Sequence, residues 1–246
     1  MKRPVALVTG ASRRIGIGAG IARALASEGW DVATTVWKPY DAEMPWGADE
    51  PNLVAMLRDL GAQAIEIEAD LSRPDAAVEV FDEVEAQLGP VTALIANHCH
   101  DIVTDIEATT VESFDLHFSV NARAVWLLVR EFGRRFPGPF GTGRIIAMTS
   151  DHTAGNLPYG ASKGAMERIV VAAAHEFRGQ GITANIVHPG PTDTGWMSPE
   201  LADQLRARTL LGRLGRPEDA ANLVAFLCSD RGAWINGQII RSDGGF

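Results

Sequence analysis

Two side chains in the second half of the chain could exchange a proton with a substrate oxygen. Tyr159 and Lys163 are four residues apart, which places a phenol and an ammonium on the same face of one helical turn. A carbonyl that receives a hydride must also take a proton near neutral pH, where a free tyrosine with a pKa of about 10 is a poor partner. Before the cost of desolvation, a lysine charge at about 4 Å in an effective dielectric of about 20 is worth roughly 4 kcal/mol, or about three pKa units. The pair therefore predicts a phenol whose pKa Lys163 lowers into a useful range.

A glycine-bearing turn near the start of the chain could bind phosphate. It joins an apolar run to a helical apolar pattern and reads Thr9-Gly10-Ala11-Ser12-Arg13-Arg14-Ile15-Gly16. We expect Gly10 to allow a sharp turn, Gly16 to let the helix approach the sheet, and the first helical N–H groups to bind a pyrophosphate. Gly16-Ile17-Gly18 offers a second register. The turn predicts a dinucleotide site, with a plain tight turn as the alternative.

The elements that must position these groups alternate along the chain. Short β-branched runs typical of strands precede longer amphipathic stretches typical of helices. The predicted strands are residues 5–9, 32–37, 64–67, 91–96, 144–148 and 183–187. The predicted helices end at residue 27, cover 52–60 and 76–88, end at 132, and cover about 158–178. This alternation predicts an α/β fold with a doubly wound parallel sheet, and two irregular stretches, 38–51 and 189–211, should be surface loops near a ligand.

Size and charge exclude several classes of protein. The 246 residues suffice for one large domain, which we expect to span residues 1–246. A net charge of −9 would repel a nucleic-acid backbone, and no apolar run approaches the roughly 18 residues of a membrane-spanning helix. Cys99 and Cys228 show no pair spacing, which favours a reducing compartment over a disulfide framework. We expect a cytoplasmic protein with neither a nucleic-acid nor a membrane partner.

These motifs resemble the short-chain dehydrogenase/reductase family. The turn is similar to the family pattern T-G-x-x-x-G-x-G, with Arg14 in place of the middle glycine, and Tyr159-Gly160-Ala161-Ser162-Lys163 resembles the family's catalytic Tyr-x-x-x-Lys. The likeness continues to Asp243-Gly244-Gly245 and so covers nearly the whole chain. It implies a Rossmann-type sheet of about seven strands in the order 3-2-1-4-5-6-7, with helices on both faces. It also implies hydride transfer between a nicotinamide and a small carbonyl or alcohol substrate.

The resemblance also implies roles for individual residues. Lys163 and the oxidised nicotinamide would together make Tyr159 a usable acid or base. Ser150 would hold the substrate oxygen, Lys163 would also bind the nicotinamide ribose, and Asn121 would order a water that relays protons. Asp70 would contact adenine, and Thr192 and Thr194 would bind the nicotinamide carboxamide. The full set of cofactor contacts expected from the turn and the resemblance is Gly10, Ser12, Arg13, Arg14, Ile15, Gly16, Lys38, Asp70, Leu71, Asn97, Tyr159, Lys163, Pro189, Gly190, Thr192 and Thr194.

The end of the second predicted strand favours NADP(H) over NAD(H). Sites for NAD in this fold usually place a carboxylate there, which bonds the ribose hydroxyl and repels a 2′-phosphate. This strand ends in Val36-Trp37-Lys38 without a carboxylate, whereas Ser12, Arg13 and Lys38 could surround a phosphate. The alternative is that the two cations are ordinary solvated charges.

Two segments depart from the family pattern. Nine positions separate Ser150 from Tyr159, fewer than is usual in the family, so the loop over 151–158 is short. We expect Ser150 still to face Tyr159, with Thr149 or Thr153 as substitutes.

The second departure is Ala96-Asn97-His98-Cys99, which replaces the family's N-N-A-G and could reshape the pocket. A metal site in His98-Cys99-His100-Asp101 is disfavoured, because neighbouring side chains in an extended chain point to opposite faces. We therefore predict no metal. His100, His152 and His188 are expected either to line the mouth of the site or to face solvent.

The sequence thus predicts an NADP(H)-dependent oxidoreductase that resembles the 3-oxoacyl-carrier-protein reductase branch, with a substrate loop at about 190–211. The main alternative is a non-catalytic dinucleotide-binding or regulatory protein that retains the fold. A lyase-like dehalogenase is disfavoured, because such members typically have arginine in place of Lys163. The likeness of the C-terminal stretch implies a homo-oligomer, with a tetramer favoured. Loops of this kind do not reveal the natural substrate.

Overall fold

A parallel sheet forms the centre of the molecule, seen in a computed structural model that describes residues 3–44 and 52–246. The strands are β1 (Val5–Val8), β2 (Asp31–Val36), β3 (Ala64–Glu68), β4 (Val91–Ala96), β5 (Arg144–Met148), β6 (Thr183–His188) and β7 (Ile239–Arg241). They are ordered β3-β2-β1-β4-β5-β6-β7, and every neighbouring pair is parallel. The predicted fold class and strand order are confirmed.

The helices lie on both faces of this sheet. They are α1 (Ile17–Ser27), α2 (Lys38–Glu43), α3 (Leu53–Asp59), α4 (Ala76–Gln87), α5 (Val111–Phe118), α6 (Ala124–Arg135), α7 (Leu157–Glu176), α8 (Pro199–Arg208) and α9 (Pro217–Cys228). One apolar core joins the sheet to α4, α6 and α7, and a second joins it to α1, α3 and α9. Because helices cover both faces, β1, β2, β5 and β6 are buried along their whole length.

The prediction that residues 38–51 and 189–211 are irregular was wrong in part. The first stretch begins with α2, and its residues 45–51 lie outside the described part of the chain. The second contains α8, where the Ser198 hydroxyl accepts a hydrogen bond from the Leu201 N–H at 3.2 Å. Each helix has a proline in its first turn, a position where the missing N–H costs nothing. The first-turn prolines and the Ser198 cap mark the starts of α2 and α8, which the weak apolar periodicity of these segments did not predict.

The helix predicted to end near residue 132 is divided by a wider turn. Between α5 and α6, residues Ser119–Arg123 form a π-helical turn, and Asn121 lies within it. Turns of this kind insert one extra residue and occur mostly near functional sites. None of the described helices is long and apolar enough to span a membrane.

Candidate active site

A cleft of about 1100 Å³ opens at the carboxyl ends of the central strands. In a doubly wound sheet this edge is where ligands bind, beside the point where the strand order reverses. Here β1 pairs with both β2 and β4, so the reversal lies at β1. The predicted site residues that line the cleft are Gly10, Ser12, Arg13, Gly16, Asp70, Leu71, Asn97, Ser150, Tyr159, Lys163, Pro189, Gly190, Thr192 and Thr194.

Four predicted residues do not line the cleft in the described part of the chain: Arg14, Ile15, Lys38 and Asn121. The Ile15 side chain is 51% exposed. The Lys38 ammonium lies 3.9 Å from the Glu68 carboxylate, outside the cleft. Ser12 and Arg13 thus line the cleft whereas Lys38 does not, and the Arg13 guanidinium donates to the Thr194 carbonyl oxygen at 2.5 Å.

The glycine turn brings the backbone of three segments into close contact. Gly10 has a φ of +69°, and a Cβ there would lie 2.5 Å from the His98 Cα. The closest approach of α1 to the sheet, which we predicted at Gly16, occurs at Gly18, where a Cβ would lie 2.5 Å from the Gly10 carbonyl oxygen. Gly16 instead is the N-cap residue of α1, and no side chain caps the first turn. The N–H groups of that turn can therefore serve an anionic ligand.

Tyr159 and Lys163 lie on the first turns of α7, and both line the cleft. The Lys163 ammonium is 5.7 Å from the centre of the Tyr159 ring, and it donates a hydrogen bond to the Met148 carbonyl oxygen at 2.9 Å. Lys163 is 3% exposed, and this burial lowers the pKa of its ammonium. The bond to β5 thus fixes a buried amine one helical turn from the phenol.

Ser150, rather than a neighbouring threonine, lies beside the phenol. Its hydroxyl is 2.9 Å from the His152 Nδ1, and the His152 ring packs edge-on against the Tyr159 ring with centroids 5.9 Å apart. Thr149 turns away and donates to the Glu167 carboxylate at 2.6 Å. Thr153 is exposed and bonds the Asp151 carbonyl oxygen at 3.2 Å. The geometry therefore favours Ser150 as the partner of Tyr159.

The short loop between Ser150 and Tyr159 is accommodated by a glycine. The His152 carbonyl oxygen approaches α7 so closely that a Cβ on Gly160 would lie 2.1 Å from it. No side chain larger than hydrogen fits there without moving the loop. Gly160 therefore allows the tighter path that keeps Ser150 and His152 against Tyr159.

In the protein without cofactor, the pKa of Tyr159 is shifted upward. Burial raises the pKa of Tyr159 well above its usual value, and the nearby Cys99 and Asp101 raise it further. A hydrogen bond with Ser150 acts in the opposite direction but is the smaller effect. In the protein without cofactor, the loss of solvation is the largest effect, and the phenol stays protonated.

Asn121 lies behind the cleft and holds one of its walls. Its side-chain amide donates to the His100 carbonyl oxygen and to the Ser162 hydroxyl, both at 2.9 Å, and accepts from the His100 N–H at 2.7 Å. It is fully buried. The wider π-helical turn thus places an amide between the segment after β4 and α7.

His98 turns into the protein and makes two hydrogen bonds. Its Nε2 donates to the Val120 carbonyl oxygen at 3.0 Å, so its Nδ1 accepts from the Thr9 hydroxyl at 2.6 Å. Burial and the Lys163 charge lower the pKa of His98 from 6.5 to about 4. His98 is therefore a neutral structural link between β1 and the π-helical turn.

The other histidines named above line the cleft. These are His100, His152 and His188. The His100 ring packs edge-on against the His117 ring, with centroids 4.6 Å apart. The residues that the structure describes contain no group of three His, Cys, Asp or Glu side chains that could hold a metal ion.

Several cleft residues were not predicted as site residues. Trp196, Leu201 and Leu205 line it from the segment that we expected to be the substrate loop. Polar residues from elsewhere in the chain also line it, among them Tyr40, Asp101 and Asn156. No local motif marks these three, because contacts between residues far apart in sequence bring them together.

Comparisons with known proteins agree with this geometry. A family model described as "Enoyl-(Acyl carrier protein) reductase" matches residues 10–246. An uncharacterized oxidoreductase of Bacillus subtilis is 39% identical over 247 residues, covering 98% of this chain and 96% of the relative. "NADPH-dependent aldehyde reductase 2, chloroplastic" of Arabidopsis thaliana is 38% identical over 258 residues, covering 98% and 93%.

Two solved structures are similar over nearly the whole chain. A blue fluorescent protein from a metagenomic library, in complex with NADPH, has a TM-score of 0.86 at 33% identity and covers 99% of this chain and 97% of its own. A short chain dehydrogenase from Burkholderia cenocepacia J2315, in complex with NADP, has a TM-score of 0.86 at 35% identity and covers 98% and 97%. Both similarities extend over the cleft and the elements that form it.

Proposed function

The chain belongs to the short-chain dehydrogenase/reductase family, and on this basis we propose that it is an NADPH-dependent reductase of aldehydes and ketones. The main support is the convergence of Ser150, Tyr159 and Lys163 in the same cleft as an uncapped glycine turn. The Arabidopsis relative named as an NADPH-dependent aldehyde reductase supports the cofactor and the reaction class.

The cleft residues fit a dinucleotide phosphate. The first turn of α1 offers N–H groups without a side-chain cap, and Gly10 and Gly18 bring the backbone as close as only hydrogen side chains allow. Ser12 and Arg13 would hold the additional phosphate of NADPH, and Lys163 would bind ribose hydroxyls. When bound, NADPH supplies the hydride for the reaction.

Tyr159 is the proposed proton donor. Reduction adds a hydride to the carbonyl carbon and a proton to its oxygen, so that an alcohol forms. The raised pKa of Tyr159 keeps the phenol protonated before substrate binds, so it holds the proton that the substrate oxygen must receive. The Ser150 hydroxyl would donate a hydrogen bond to the same substrate oxygen and hold it beside the phenol.

Asn121 is proposed as a positioning residue. It contacts the His100 backbone and the Ser162 hydroxyl, and so fixes the cleft wall to α7 behind Tyr159. The predicted water relay would pass through this part of the molecule.

The experiment that tests this function measures NADPH oxidation at 340 nm with aldehydes, ketones, β-ketoacyl thioesters, quinones and ketosugars. We expect reduction of aldehydes or ketones by the wild type and its loss in Tyr159→Phe. If the wild type binds NADPH but reduces each compound no faster than Tyr159→Phe does, the non-catalytic alternative is supported instead.

Cofactor choice is tested by comparing the Kd of NADPH with that of NADH. Tighter binding of NADPH is expected from the placement of Ser12 and Arg13. Asp41 and Glu43 of α2 also line the cleft, and a carboxylate near the ribose would favour NADH. Equal affinities would contradict the proposed preference.

The finer predictions remain proposals. These are the likeness to 3-oxoacyl-carrier-protein reductases, a tetramer, a cytoplasmic location and a single domain. A β-ketoacyl thioester in the substrate panel tests the first of them directly, and sedimentation of the purified protein tests the second.

A further inference from the structure

The wall of the cleft formed by the segment after β4 contains a carboxylate that the proposed reaction does not use. Asp101 lines the cleft and lies close enough to Tyr159 and Lys163 to raise the pKa of the phenol. A negative charge beside a proton donor does not help that donor to release its proton. Its presence in the cleft therefore needs another explanation.

Contacts from three other elements fix the position of Asp101. The Tyr40 hydroxyl of α2 lies 3.3 Å from both the backbone N–H and the carbonyl oxygen of Asp101. On either side, Asn121 binds the His100 backbone, and the His117 Nε2 accepts from the Ile102 N–H at 3.1 Å. The segment therefore presents its carboxylate from a fixed backbone, which reduces the entropy lost when a ligand binds.

A second acceptor accompanies this carboxylate. The Asn156 amide nitrogen donates to the Asp101 Oδ1 at 2.7 Å, which fixes the orientation of the amide. Asn156 is only 3% exposed, and its Oδ1 is buried without a hydrogen-bond partner in the described part of the chain. Leaving a buried carbonyl oxygen unpaired costs about 1–3 kcal/mol, so a donor from a ligand would remove this cost.

Charge in this part of the cleft also favours a donor-bearing ligand. Asp151 also lines the cleft, but its carboxylate pairs with His188 and Arg241 and adds little to the negative charge that a ligand would meet. A substrate that bears a carboxylate or phosphate would meet Asp101 at close range and be repelled. A hydroxyl or an ammonium would instead find two acceptors on neighbouring residues.

We propose that Asp101 and Asn156 form an acceptor site for a hydroxyl or ammonium group of the substrate. The site selects aldehydes or ketones with a hydrogen-bond donor on the carbon chain over plain alkyl and carboxylate-bearing ones. This inference rests on the proposed function, since it assigns the class of substrate that the same cleft reduces.

The test compares kcat/KM at saturating NADPH for four aldehydes of similar size: butanal, erythrose, 3-aminopropanal and succinate semialdehyde. The variants are Asp101→Asn and Asn156→Ala, and the matched control is Asp115→Asn, the same charge change on exposed α5. We expect Asp101→Asn and Asn156→Ala to lower kcat/KM for the donor-bearing aldehyde by about 10-fold to 100-fold, the range of a lost hydrogen bond to a charged group. Butanal should change by no more than about twofold in Asn156→Ala. Asp101→Asn also removes a charge that raises the pKa of Tyr159, so its effect on butanal is the baseline against which the other three aldehydes are compared.

The pattern across the aldehydes identifies the donor. Loss for erythrose indicates a hydroxyl site, and loss for 3-aminopropanal indicates an ammonium site. Asp101→Asn should also improve succinate semialdehyde, because the repulsion is removed. An equal change for all four aldehydes, or none, would overturn the proposal, since a merely structural residue would not distinguish them.

A binding measurement separates failure of this site from failure of the proposed function. Calorimetry of the NADPH-loaded protein with erythritol and with 1-butanol reports the acceptor site without turnover. If no aldehyde is reduced, the proposed function fails, whereas tighter binding of erythritol that Asp101→Asn abolishes would still support the acceptor site. Equal binding of the two alcohols, together with equal turnover of erythrose and butanal, would refute it.

Discussion

The Ser150 hydroxyl lies beside the Tyr159 phenol, whereas the hydroxyls of Thr149 and Thr153 bond to other groups. We predict that Ser150→Ala lowers kcat/KM for aldehyde reduction by about 100-fold, as expected when a donor to the developing oxyanion is removed. Thr153→Ala should retain activity within about twofold, since its hydroxyl is exposed. Steady-state kinetics with NADPH decides the matter, and the reverse pattern would show that Thr153 completes the site.

His98, which departs from the family pattern, has a structural role. Its ring links the Thr9 hydroxyl to the Val120 carbonyl oxygen and is fixed as the neutral form. The folded chain excludes a proton that the unfolded chain binds, because the pKa of His98 is lowered to about 4. Stability due to this group is therefore complete above a pH of about 6.5 and is lost as the pH falls toward about 4.

The corresponding prediction concerns the pH dependence of unfolding. Between neutral pH and a pH of about 4, His98 should account for a loss of about 3 kcal/mol in the free energy of unfolding. In urea unfolding experiments over this range, the free energy of unfolding should fall less steeply with decreasing pH for His98→Ala than for the wild type. His175→Ala, which changes an exposed histidine, is the control. An unchanged slope in His98→Ala would contradict the assignment.

At the residue scale, the sequence predicted which side chains line the cleft better than it predicted their pKa values. The spacing of Tyr159 and Lys163 predicted one shared helix face, and both side chains do line the cleft. Without cofactor the pKa of Tyr159 is shifted upward, because spacing reveals a nearby charge but not the burial of the phenol. Asp101, which also raises this pKa, comes from a different strand end.

At the scale of elements, alternating apolar runs predicted six strands because each run is buried between helices, and the family resemblance supplied their order. The helices α2 and α8 were missed, since both are short and surface-exposed along much of their length. The π-helical turn at Ser119–Arg123 has no sequence signature of its own, although it determines where Asn121 lies. Tertiary packing, rather than local preference, produces such a turn.

Two glycines of α7 provide a matched test of the short catalytic loop. Gly160→Ala should displace the His152 carbonyl, move Ser150 and lower kcat/KM by about 100-fold, the cost of a shift of about 1 Å in a reacting group. Gly164→Ala, one turn later, has open space around its Cβ position and should stabilise the helix by up to about 1 kcal/mol.

The readouts are kcat/KM, the Kd of NADPH and the melting temperature of both variants. Gly160→Ala should bind NADPH normally, because Ser150 is proposed to contact the substrate oxygen rather than the cofactor. Full activity in Gly160→Ala would show that the loop does not depend on this close approach.

At the scale of the molecule, the cleft depends on segments that are far apart in the chain. The Tyr40 and Asp101 contact joins residues 61 positions apart, and the Asn156 and Asp101 contact joins residues 55 positions apart. The sequence predicted a dinucleotide site at the turn after the first strand, and the cleft does open at that edge of the sheet. It could not predict which loop side chains meet there, because that depends on the paths of three loops at once.

Ligand binding to such a cleft should stabilise the whole fold. At a free concentration of about 100 times its Kd, NADPH should add about 2.7 kcal/mol and raise Tm by roughly 5–10 °C. NADH at the same concentration should raise Tm less, because Ser12 and Arg13 would lack a phosphate partner. Thermal unfolding at matched concentrations measures both, and a larger shift with NADH would reverse the proposed cofactor preference.

The central claim is that Tyr159 gives a proton to a carbonyl oxygen while NADPH is oxidised in the same cleft. A single-turnover experiment tests it most directly: enzyme in excess is mixed with NADPH and an aldehyde, and absorbance at 340 nm is followed. We predict that the wild type oxidises one NADPH per aldehyde, whereas Tyr159→Phe binds NADPH with the same Kd and is slower by about 100-fold or more. Equal rates for the two proteins would contradict the account.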